Sequence, residues 1–169
     1  GMATAVVSVA GAAYGARLID KLKTSYIYAI KIGIIIEIII AVATFVLAEY
    51  IALIFTQGEG ASRIASNIVI FIQINAIFYP GAAFGIISSS LFQATGKGVN
   101  ALIVTIFRTL VMVVPLAIIL PNLLGLGLTG VWWGIAIGNV IGSTVSLIWA
   151  VIYIRKLKIK FEKPLAAPN

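Results

Sequence analysis

The chain has 169 residues, 62% of them hydrophobic and 10% charged, with a mean hydropathy of +1.15. Soluble domains are nearer half apolar, so this composition excludes an ordinary soluble domain and points to an integral membrane protein of the all-α class. The net charge of +7 comes from basic residues set between apolar runs and at the C-terminus, with no aromatic-interleaved patch, so no nucleic-acid partner is expected. With no Cys, no His and five carboxylates, disulfides, thiol chemistry, most metal sites and most acid–base catalysis fall away; the chain is not expected to be an enzyme or to carry a cofactor.

In chain order, residues 2–16 are apolar and rich in small residues, with Ser8, Gly11, Gly15 and Ala16 at helical spacing for close packing. At about 1.5 Å per residue this segment is too short to cross a hydrocarbon core of roughly 30 Å, so it is a partial span. It starts at the first residues with no basic leader ahead of it, as in a fragment of a longer protein or one with an unusually short first span. Arg17 to Lys23 reads as a charged turn. Residues 25–55 form a second span, about 45 Å long if helical, with Lys31 and Glu37 inside it; Lys31 is shallow enough to snorkel.

Thr56 to Gly60 breaks the pattern, and residues 61–92 form a third span carrying Asn67, Gln73, Asn75, Tyr79 and Pro80. Pro80-Gly81 should kink it. The polar hinge Ser88 to Asn100 follows, with Ser88, Ser89, Ser90 and Gln93 placed to satisfy backbone groups near the helix end. Residues 101–120 form a fourth span with Arg108 and Pro115, Pro121 to Gly127 a turn, and residues 131–154 a fifth span. The bundle therefore occupies residues 1–155, followed by a basic tail over 156–169 that frays by Pro164.

Orientation follows from the basic residues. Arg17, Lys21, Lys23, Lys97, Arg155, Lys156, Lys158, Lys160 and Lys163 share one side of an alternating topology, and only Arg63, beside Glu59, lies on the other. The expected arrangement is a multi-pass protein of the cell membrane with a cytoplasmic C-terminus. Trp132, Trp133, Tyr50, Tyr79 and, most clearly, Trp149 are candidates for interfacial belts.

Glu37 and Arg108 are the intramembrane charges, about 18 and 12 Å from the same face, and an ionisable group at that depth costs at least a few kcal/mol if unpaired. Glu37 is a cation or proton site, or a structural partner for Arg108 or a polar backbone group; their depths allow a direct pair. Arg108 either contacts substrate or holds helix packing. Asn67, Phe71, Asn75 and Tyr79 recur every four residues and share a helix face, with Gln73 nearly opposite. They form a polar-aromatic cavity wall or a set of interhelical hydrogen bonds.

Three stretches resemble the multidrug and toxic compound extrusion (MATE) transporters. Gly11-Ala12-Ala13-Tyr14-Gly15-Ala16-Arg17 resembles the family's glycine-alanine-basic turn, and Leu91-Phe92-Gln93-Ala94-Thr95-Gly96-Lys97 its signature after the fourth helix of a lobe. Arg108 to Pro115-Leu116-Ala117, then Gly125-Leu126-Gly127-Leu128-Thr129-Gly130-Val131-Trp132, resembles the pattern across the last two helices. Together they cover Gly1 to about Lys160. The resemblance implies half of a two-lobe, twelve-helix fold, namely helices 8 to 12 of the C-terminal lobe, with the N-terminal lobe missing from this chain.

The implied function is secondary active efflux of small organic, often cationic compounds in exchange for Na⁺ or H⁺. The NorM-like branch carries an acid near the middle of the third span, where this chain has Tyr79-Pro80-Gly81-Ala82-Ala83. The sequence is thus closer to the DinF-like branch, whose coupling acid lies in the first helix of the other lobe. A rival reading is a small polytopic membrane protein with a structural or assembly role, acting as a homo-oligomer or with a partner chain.

Overall fold

The reversals between helices are shorter than the polar stretches of sequence suggest. A computed structural model describes residues 1–57 and 62–162. Every element among them is helical: α1 (Met2–Gly15), α2 (Ile19–Val46), α3 (Ala48–Phe55), α4 (Ser62–Ala94), α5 (Gly98–Ile106), a π-helical segment (Phe107–Val113), α6 (Val114–Leu124) and α7 (Gly127–Glu162). Four stretches, Ile19–Val46, Ile64–Ala94, Gly98–Leu124 and Gly127–Glu162, are long and apolar enough to cross a membrane.

The charged turn expected over Arg17 to Lys23 narrows to Ala16-Arg17-Leu18. Asp20, Lys21 and Lys23 belong to α2, where a carboxylate in the first turn suits the positive end of the helix dipole. The hinge narrows likewise to Thr95-Gly96-Lys97, because Ser88 and Ser90 are buried inside α4. Both reversals use one device. After α1, Leu18 N–H donates to Ala13 O and Arg17 N–H to Tyr14 O; after α4, Lys97 N–H donates to Phe92 O and Gly96 N–H to Gln93 O. This is the paired bonding of a Schellman cap, which needs one left-handed residue: Gly96 at φ 71° in the second turn and Arg17 at φ 58° in the first.

Other boundaries shift for similar reasons. The second segment is interrupted at Leu47 and resumes as α3. Helix α4 continues through Pro80. Pro121 to Leu124 remain helical, leaving Gly125-Leu126 as the turn, with Gly125 left-handed. Helix α7 extends through Arg155 to Glu162, so the first part of the basic tail is helix. Glu59, the side chain of Arg63, Lys163 and Pro164 to Asn169 lie outside the described residues.

Helix α4 is the hub, packing on α1, α2, α3, α5 and α7, while α7 also packs along the π segment and α6. The main core joins Val6 and Ala10 of α1, Leu22 and Tyr26 of α2, Leu91 and Phe92 of α4 and Ala150 and Ile154 of α7. Much of α2, including Ile35, Ile39 and Val46, is exposed and suits a lipid-facing surface. Trp132, expected in an interfacial belt, is instead buried, with its ring edge-on to Phe71 at 5.8 Å.

One face of α7 carries Gly130, Gly134, Gly138 and Gly142, each a turn apart. A Cβ at these positions would lie 2.7 Å from Pro121 Cα, 2.5 Å from Leu116 O, 2.7 Å from Val113 Cα and 2.7 Å from Arg108 Cα, respectively. The main chains of α7 and the α5–α6 stretch therefore meet with nothing between them, as small-residue membrane interfaces allow. Gly134→Ala should cost about 1–3 kcal/mol through overpacking, read as a lower thermal unfolding midpoint in detergent. Gly15→Ala, with open space around its Cα, should stay within about 0.5 kcal/mol.

Candidate functional site

Two neighbouring features hold the chemistry of the bundle: a polar cluster around Arg108, and the polar-aromatic face of α4. Arg108 is the second residue of the π segment, whose wide turn is closed by Val114 N–H donating to Thr109 O, five residues back. The cause lies just downstream. Pro115 has no N–H, and its ring would press on the Val111 carbonyl in a regular α-helix. A widened turn relieves that contact.

The Arg108 side chain runs over Gly142 and reaches between α7 and α4. A Cβ on Gly142 would sit 2.8 Å from Arg108 Cγ, and one on Gly85 would sit 2.7 Å from Arg108 Nη1 and 2.8 Å from Ser143 Oγ. Glycines on both flanking helices thus leave the volume that the guanidinium occupies. Arg108 Nε and Ser143 Oγ are buried and have no hydrogen-bond partner among the described residues. The arrangement brings together a cation and an unused hydroxyl, both able to bind an acceptor or water.

Glu37 does not meet Arg108: no ion pair between them exists among the described residues, where the ion pairs are Lys158–Asp20 and Lys158–Glu162. Half-buried Glu37 sits one turn beyond Gly33, whose Cα faces Ile87 and Ala83 of α4. Arg108 reaches α4 from another side, at Gly85. Similar depth in a membrane does not bring two helices together, and here α4 stands between them.

On α4, Asn67 and Phe71 are exposed, and Gln73, Asn75 and Tyr79 are half-buried. Asn75 Nδ2 donates to Phe71 O at 2.9 Å, so its amide is spent within its own helix rather than across an interface. Phe71 pairs with Trp132, and Phe78 with Trp133 at 5.6 Å, which joins this face to α7 as one aromatic surface. Asn139 on α7 back-bonds to Ile135 O in the same way as Asn75. Trp132 and Trp133, candidates for interfacial belts on sequence, thus serve as the aromatic partners of this face.

Of the expected backbone-satisfying polar residues, Ser90 donates to Ile86 O and Gln93 Nε2 to Ser89 Oγ. Ser88 behaves differently, sharing a buried 2.8 Å hydrogen bond with Tyr26 OH across α2 and α4. At the turn motifs, a Cβ on Gly11 would meet Ala94 O at 3.3 Å, while Gly15 has open space. The guanidinium of Arg17 lies 5.7 Å from the centre of the Phe161 ring, within cation–π range, and Tyr14 meets the same ring edge-on at 6.1 Å. Gln93, Gly96 and Lys97 are exposed. No group of His, Cys or acidic residues able to hold a metal occurs among the described residues.

A bundle of apolar helices around a hub, with a half-buried arginine and a polar-aromatic face among the described residues, defines a polytopic membrane protein. The family model described as MatE matches residues 1–119. Among solved structures, an inward-facing multidrug resistance MATE family transporter of the MOP superfamily is 41% identical with a TM-score of 0.90, over 93% of this chain and 36% of that one. An outward-facing MATE family transporter is 41% identical with a TM-score of 0.88, over 93% and 35%. A MOP superfamily transporter from Pyrococcus furiosus, described as having a binding pocket of reversed polarity, is 42% identical with a TM-score of 0.90, over 92% and 34%. No curated protein sequence matches. The chain belongs to the MatE family of membrane transporters, and it spans about a third of the length of these solved relatives.

Arg108→Met keeps an extended side chain without the guanidinium. Because the charge is held at an intramembrane cost without a bound carboxylate, the variant is expected to unfold within about 1 kcal/mol of wild type or above it. Thermal unfolding in detergent measures this; a large loss would mean that the guanidinium has a stabilising partner.

Proposed function

We propose that this chain forms the C-terminal-lobe portion, equivalent to helices 8 to 12, of a DinF-like secondary active exporter in the cell membrane. The exporter exchanges Na⁺ or H⁺ for small amphipathic organic compounds, often cationic, by alternating access around a midplane site. The observation that carries this reading is the near-equal fit, TM-scores 0.90 and 0.88 at one identity, to relatives described as inward-facing and outward-facing. A unit that fits both states equally well suits a lobe that rocks as one body while the opening between lobes changes.

In this reading the Asn67, Phe71, Asn75 and Tyr79 face, backed by buried Trp132 and extended by Trp133, contributes one wall of the cavity, with Gln73 turned nearly opposite. The basic ends of α1, α4 and α7 lie in the cytoplasm, as the excess of Lys and Arg there favours. Pairing with the N-terminal lobe completes the cavity, and the coupling acid lies in that lobe. The 169 residues alone, reconstituted in liposomes, are therefore expected to show no drug-driven cation exchange, whereas a polypeptide that also carries the other lobe does. Robust exchange by the chain alone would sink the half-transporter reading.

The same reading leaves Glu37 outside the coupling step, since it is separated from Arg108 by α4 and sits on a peripheral helix. Glu37→Gln in the two-lobe protein should leave the cation dependence of efflux in vesicles unchanged. Loss of coupling would instead assign the ion site to α2.

A further inference from the structure

We propose that the cleft between α2 and α7 at the basic end of the bundle binds the phosphate headgroup of an anionic phospholipid. The cleft has a volume of about 140 Å³, and its polar lining is Lys23, Arg155 and Lys158. Its apolar lining includes Ile19, Tyr26 and Ile154, all three buried. That is below the roughly 300–1,000 Å³ of pockets that hold drug-sized molecules, and the space suits a headgroup phosphate with the first atoms of its ester arms.

Charge argues for an anion. Lys158 is held by Asp20 at 2.7 Å and by Glu162 at 3.6 Å, but neither Lys23 nor Arg155 has a carboxylate partner among the described residues. Two cations on facing helices therefore line one cleft where Asp20, the carboxylate that also senses Lys23, is taken up by Lys158, an arrangement suited to a phosphodiester. The apolar lining argues for a lipid rather than a free ion, since inorganic phosphate gains nothing from buried isoleucine. Ile27 lies at the edge of the cleft, and farther along α2, past Lys31 on the same face, Ile35 and Ile39 are exposed and offer acyl chains an apolar surface.

The test uses the full polypeptide purified in a neutral detergent. Native mass spectrometry with phosphatidylglycerol and phosphatidylcholine at equal concentration should show phosphatidylglycerol retained about thirtyfold more, the scale expected of two juxtamembrane cations. Lys23→Gln with Arg155→Gln should reduce retention to the phosphatidylcholine level. The charge-conserving Lys23→Arg with Arg155→Lys, and the exposed control Lys156→Gln, should retain it. Wild-type protein supplies an independent reading if the double variant misfolds: phosphatidylglycerol should raise the unfolding midpoint, and phosphatidylcholine or inorganic phosphate should not. Equal effects of the two lipids would overturn the proposal. So would inorganic phosphate matching the anionic lipid, or undiminished binding by the folded Gln variants.

Discussion

The bundle depends on one constraint, the absence of side chains along a single face of α7. Gly130, Gly134, Gly138 and Gly142 let four successive turns of the α5–α6 stretch lie with their main chain against the α7 main chain. In lipid, where burying apolar side chains gives little advantage between helices, such proximity is what makes dispersion contacts strong enough to hold them. The other face of α7 is free to engage α4 through Val140 over Gly81 and Ser143 beside Gly85. The helix thus joins the hub to the polar cluster.

Close approach on one side forces an adjustment on the other. A proline at 115 cannot sit in a regular helix without crowding the carbonyl of Val111, and a stretch pinned against the α7 backbone has no room to kink away from it. The π turn absorbs the conflict in place, widening the helix over Phe107–Val113. Arg108 is carried in that wide turn, and glycines on two neighbouring helices clear its path. Its buried Nε and the neighbouring Ser143 hydroxyl retain bonding capacity that the described residues do not use.

The all-helical class and the long apolar stretches were legible in the sequence because long apolar runs leave few alternatives. Where they end was less so. Asp20, Lys21 and Lys23 read as loop by polarity, yet Asp20 stabilises a helix start and Lys23 lies beside a cleft, so charge marked the edge of the membrane rather than the end of the helix. Ser88 and Ser90 looked like hinge residues, but a hydroxyl is small enough to be buried between helices, and Ser88 bonds to Tyr26 from a different helix, a pairing that no local pattern encodes. Glu37 and Arg108 both fall inside helices long and apolar enough to cross a membrane. Their proposed pairing failed because depth specifies one coordinate and rotation about the bundle another. The glycine repeat on α7 was visible but lay within a run read only as apolar.

The glycine face also has a thermodynamic consequence. Ordering a side chain at an interface removes rotamer freedom, at up to about 2 kcal/mol for long residues and none for glycine. Where α7 meets the α5–α6 stretch, its contribution consists of residues that have no rotamers to lose, so association there carries almost no side-chain entropy cost from α7. Such a joint does not loosen by progressive softening of side chains as temperature rises. It stays closed until the backbones separate, and the helices on either side are obliged to move together.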